Sequence, residues 1–170
     1  MSDNQATTQG KGIFTREQLI TEMHAFTEKA KELLATNGSV SPIAFFITGR
    51  TIHVMPLRFT DDTEKERCKA AVRSYARKLQ VDAVIVINEA WFAVLPPDEQ
   101  LQGRVSQRHD CKECIFVVGA SASCKLMTLV QFSRGDGNIV FTDTESPFEE
   151  GFEDTFTDGI WDRPSVSAFN

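Results

Sequence analysis

His109-Asp110-Cys111-Lys112-Glu113-Cys114 sets two thiols three positions apart, with an imidazole two residues before the first. These donor types bind zinc or run thiol redox chemistry. A structural zinc needs a fourth ligand. The chain supplies no second Cys-x-x-Cys and no paired histidines, only the remote Cys68 and Cys124. His109, Cys111 and Cys114 therefore stand as metal candidates against a simpler reading of reduced, incidental thiols, and no cofactor is assigned. Acyl transfer would need a nucleophile, a base and a carboxylate, which Ser121, Ser123 or Cys124, His53 or His109, and Glu89 contain as types. There is no Gly-x-Ser-x-Gly elbow, however, and Ser121-Ala122-Ser123-Cys124 is ordinary turn chemistry. The glycines at 10 and 12 and at 135 and 137 lack the following helix and lysine of a phosphate loop. No catalytic residue is assigned.

Three other groupings suit binding. Lys65, Lys69, Arg73 and Arg77 recur every four residues, so on a helix they form a cationic stripe able to follow a phosphate backbone. The bland alternative is a solvated helix face, since no aromatic platform or base-reading signature accompanies them. Glu89-Ala90-Trp91 places a carboxylate and a large aromatic near a strand end, where a pocket is one reading; a core Trp91 donating its indole N–H to a carbonyl is the plainer one. The third grouping is the C-terminal stretch from Asp143. It holds eight acidic residues against the single base Arg163, a net of −7, while the whole chain carries −6, so the preceding body is close to neutral. Phe148, Phe152 and Phe156 at four-residue spacing, with Trp161 beyond, alternate with Glu149, Glu150, Glu153 and Asp154. Acids would steer the stretch to a basic surface and the aromatics would bury there, on a partner or on the protein's own basic helix.

The elements that position these groups read from periodicity and punctuation. Leu19, Ile20, Met23, Phe26, Ala30, Leu33 and Leu34 recur at three and four residues, which predicts a helix over 15–37, with Thr15 in the capping region and Asn37-Gly38 at the stop. Two β-rich runs around Gly49-Arg50 predict a hairpin of 43–48 and 51–57. Acids at 61, 62 and 64 open a second helix that runs to Gln80, whose apolar stripe is Cys68, Val72, Tyr75 and Leu79. The nearly unbroken apolar run from Asp82 to Leu95 is one long buried strand or two strands folded at Asn88-Glu89. An exposed loop over 96–110 follows, then a hairpin of 114–120 and 126–132 and a short strand at 138–141. Short turns between successive strands imply antiparallel pairing. The expected fold is α+β: a mainly antiparallel sheet of five to six strands with both helices packed on one face, plus the acidic aromatic tail.

The order of that helix, Asn37-Gly38-Ser39-Val40-Ser41-Pro42, a hairpin ending in Met55-Pro56-Leu57, a basic helix, a strand ending in Glu89-Ala90-Trp91 and then the segment from Arg108 to Ser121 resembles a group of small bacterial proteins sharing this arrangement. The resemblance covers Thr15 to Arg134, implies the same element order, and brings no activity with it.

With 170 residues, 41% hydrophobic and 25% charged, one globular domain is expected, spanning 13–142 between a polar, disordered leader of 1–12 and the tail of 143–170. No apolar run approaches the roughly 18 residues of a membrane span, and the polar leader is unlike a secretory signal, so membrane partners are excluded and a cytoplasmic, thiol-reducing setting is expected. The resulting expectation is a non-enzymatic adaptor or inhibitor that binds a protein partner through the tail and the domain surface. The alternatives are a nucleic-acid-associated protein whose tail competes for the basic helix, and a thiol- or zinc-dependent enzyme around His109, Cys111 and Cys114. Homodimerisation would follow from an uncovered sheet face or a free edge strand.

Overall fold

The computed structural model describes residues 14–100, 102–144 and 156–161. The leader and most of the acidic tail, including Phe148, Glu149, Glu150, Phe152, Glu153 and Asp154, lie outside the described residues. The elements run α1 (Arg16–Asn37), β1 (Ile43–Thr48), β2 (Thr51–Pro56), α2 (Asp62–Leu79), β3 (Ala83–Phe92), a single 3-10 turn (Val105–Gln107), β4 (Lys112–Ser121), β5 (Lys125–Gly135) and β6 (Asn138–Thr144). Every strand pair is antiparallel, and the sheet order is β2-β1-β3-β4-β5-β6.

Local chemistry explains the ends. Thr15 caps α1 by accepting from the Gln18 N–H at 3.2 Å while the Gln18 side chain accepts from the Thr15 N–H at 2.8 Å, a reciprocal capping box. Gly38 closes that helix at φ 74°, where a Cβ would be strained. Asp61 caps α2 through the Glu64 N–H at 2.7 Å, and Gln80 ends it in the left-handed region. In the β1–β2 turn only Gly49 has positive φ, as expected for a two-residue turn whose first central position is glycine.

The run from Asp82 resolves as one strand. β3 pairs with β4 without interruption from Ala83↔Ser121 to Phe92↔Lys112, so a fold at Asn88-Glu89 would forfeit that ladder. The α+β class and the antiparallel six-stranded sheet hold. The placement of both helices on one face does not: they lie against opposite faces. Ala83, Ile85 and Ile87 of β3 bury with Leu19, Met23, Ala30 and Leu34 of α1, whereas Val84 and Val86 bury with Val72 and Ala76 of α2. Successive side chains of a strand point to opposite sides, so a strand that is apolar at every position demands a cover on each. Gly119 of β4 faces α1, and a Cβ there would come within 2.5 Å of the Met23 sulfur, so glycine permits the close approach of helix and sheet.

Trp91 is not the core residue expected of it. It is 47% exposed near the end of β3, and the indole that donates to a backbone carbonyl is Trp161, to Val81 O at 3.4 Å.

Candidate functional site

The residues with catalytic or ligand-binding types are dispersed. Cys111 precedes β4, and its sulfur contacts the Ser106 carbonyl at 3.8 Å. Cys114 is fully buried within β4, where loss of solvent pushes its thiol up to about 12. His109 is exposed beside Arg108, whose guanidinium pairs with Asp110 and Glu99 at 2.8 and 2.5 Å. Among the described residues no three His, Cys, Asp or Glu side chains are gathered as a metal site.

The acyl-transfer types are likewise apart. Ser121 and Ser123 bond each other at 2.9 Å across the β4–β5 turn, and Ser123 donates to the Phe14 carbonyl. Glu89 lies six residues along β3 from the level of Ser121, about 20 Å at the rise of an extended strand. His53 stands on edge strand β2, edge-on to Tyr75. Glu89 instead anchors a tie: it accepts from the Val40 N–H and from Arg134 at 2.9 Å, and Arg134 also reaches Glu113 at 3.1 Å and the Gly38 carbonyl. This network joins the end of α1 to β3, β4 and β5, a positioning use of the carboxylate.

The one described part of the acidic aromatic stretch past Thr144, residues 156–161, lies against the basic helix. Residues 156–161 turn across the α2 side of the sheet, with Gly159 at φ 75° and Ile160 N–H bonded to Thr157 O. Phe156 and Ile160 join Val72, Ala76, Val81 and Val84 in the core beneath α2. Lys69, only 12% exposed, pairs with Glu66 at 2.5 Å and lies 5.9 Å from the Phe156 ring centre. Arg77 donates to the Gly159 carbonyl at 2.5 Å, and Lys125 pairs with Asp158 at 2.7 Å. Lys65 lies over Phe59, whose ring is 6.4 Å from Phe156, and Arg73 is half-buried on the same helix. The site is thus a groove floored by apolar side chains and rimmed by cations, holding a short acidic aromatic segment. Phe156, Trp161, Lys65, Lys69 and Arg77 of the sequence candidates meet there. Lys125 was missed, because it lies on a strand remote in sequence from α2 and no local spacing marks it.

Among the described residues no helix is long and apolar enough to cross a membrane. No curated protein and no solved structure matches the chain. Residues 5–168 match the phage sequence family described as Bacteriophage lambda protein ea47, and since the match spans nearly the entire sequence, the chain belongs to that family.

Proposed function

We propose that the protein is a non-catalytic protein-interaction module whose binding face is the cation-rimmed groove on the α2 side. Its own C-terminal segment then carries the chemistry of the ligand. One observation supports this reading most: Phe156, Asp158 and Ile160 already occupy the groove, with Lys125 on the acid and the α2 core beneath the apolar side chains. A partner presenting an acidic segment with interleaved aromatics would compete for the same contacts, its acids speeding encounter and its aromatics supplying affinity. Phe148, Glu149, Glu150, Phe152, Glu153 and Asp154 continue that chemistry along the chain and would widen the docking stretch.

The test opens the groove and offers the segment in trans. Phe156→Ala with Trp161→Ala should stay folded by circular dichroism and bind a labelled peptide of residues 148–161 at least about tenfold more tightly than the native chain, with affinity falling as salt rises. A folded, opened variant that ignores the peptide contradicts the reading. The nucleic-acid alternative is favoured instead if that variant binds duplex DNA salt-dependently and loses it on Lys69→Glu and Arg73→Glu, because opening would uncover the stripe.

A further inference from the structure

We propose that the protein self-associates through edge strand β2, two copies pairing antiparallel about His53 so that their sheets join. Among the described residues β2 ends the sheet and pairs only with β1. The two-residue turn makes Thr48 and Thr51 the closing hydrogen-bonded pair, so the inward ladder falls at positions 51, 53 and 55, and the N–H and C=O of Ile52 and Val54 point away from the sheet. Pro56 falls in the outward set, has no N–H, and ends the free edge.

Natural edges are usually blunted by charge, bulges or proline. From Thr51 to Met55 there is no ionised Asp, Glu, Lys or Arg and no break in register, in contrast to β6, whose pairing with β5 shifts between Gln131 and Phe132. The side chains agree with the backbone. Ile52 and Val54 are 47% and 54% exposed and pair with Ile47 and Phe45 on the α1 side. α1 sits mainly over β4, so among the described residues these positions stay uncovered, beside a mostly apolar cleft of about 290 Å³ whose lining includes Phe26, Ala30, Leu33, Ile43, Phe45 and Ile87.

A second copy fits this edge because the edge is complementary to itself. Pairing about His53 sets Ile52 of each copy against Val54 of the other, so both outward backbone pairs are used and four apolar side chains meet on one face. Centring the pairing on Ile52 would instead set Val54 opposite Arg50, and centring it on Val54 would set Ile52 opposite Pro56, which cannot donate. The same register sets Arg50 of each copy opposite Pro56 of the other, so no two like-charged Asp, Glu, Lys or Arg side chains face each other across the shared strands.

Sedimentation velocity on the full chain across a concentration series tests this. The native protein should show a monomer–dimer equilibrium, with Ile52→Lys or Val54→Glu each weakening it about tenfold or more. Combining Ile52→Lys with Val54→Glu should restore much of the loss, because each introduced lysine faces an introduced glutamate across the two-fold, whereas Val140→Glu on the opposite edge should change nothing. A native chain that stays monomeric at every concentration overturns the proposal, whatever else the edge binds. Folded single variants that dimerise normally, a double variant no better than the singles, or loss of dimer from Val140→Glu would each overturn it as well.

Discussion

Cys114 sits fully buried on β4, and burial holds its thiol protonated up to about 12. Thiolate is the reactive form, so at neutral pH iodoacetamide should modify Cys111 in the native protein well before Cys114, which should react only once the chain unfolds. Mass spectrometry of timed samples reads this, and equal rates would contradict the burial. Asp110 shows the opposite shift: the hydrogen-bonded Arg108 guanidinium lowers its carboxyl to about 2. A depressed acid stabilises while ionised, so its contribution is present above the ordinary carboxylate range and is lost only as pH falls toward that value. NMR titration of the Asp110 carboxyl should show the low midpoint, and Arg108→Gln should return it to the ordinary range. Both residues lie in the stretch that reads from sequence as a ligand cluster. The types were legible there; their separation was not, because whether Cys111 and Cys114 converge depends on where β4 begins, which its pairing with β3 decides.

At the scale of elements, much was legible from interactions spanning four residues or fewer. Thr15 with Gln18, Asp61 with Glu64, and the glycine stop at Gly38 act within a single turn of chain. Strand placement followed from β-rich runs and turn residues, although β4, β5 and β6 extend beyond the expected limits because paired neighbours continue the ladder. The unbroken apolar run of β3 already carried the signal for a cover on each face, but neither amphipathic helix carries any mark of the face it will take. Gly119 makes the α1 contact testable. Gly119→Ala should cost about 1–3 kcal/mol in denaturant unfolding, since the added methyl meets the buried Met23 and Leu19 side chains. A neutral outcome would mean that α1 shifts freely over the sheet. The double variant Gly119→Ala with Met23→Ala should lose less stability than the sum of the two separate losses, because the two sites share one contact.

For the whole molecule, the uneven charge was plain from composition and its consequence was not. Arg77 meets Gly159 across 82 positions of sequence, and Lys125 meets Asp158 across 33. Removing the Phe156 ring should cost about 1.5–3 kcal/mol, the scale of burying one large apolar side chain. In a Trp91→Phe background Trp161 is the remaining tryptophan, so Phe156→Ala should also red-shift its emission as the indole leaves Val81 O for water. An unchanged spectrum would show that Trp161 holds its place without Phe156. The helices and their caps, the turns, the class of fold and the gathering of acid at one end could all be read from the order of residues, since each rests on short-range sterics, local hydrogen bonds or composition. Long-range packing set α1 and α2 on opposite faces, made Glu89 a tie rather than a pocket residue, buried the indole of Trp161 rather than that of Trp91, and, among the described residues, left β2 as an open edge. Those outcomes depend on which surfaces meet across tens of residues, and burial is a property of the pair that meets, not of either segment alone.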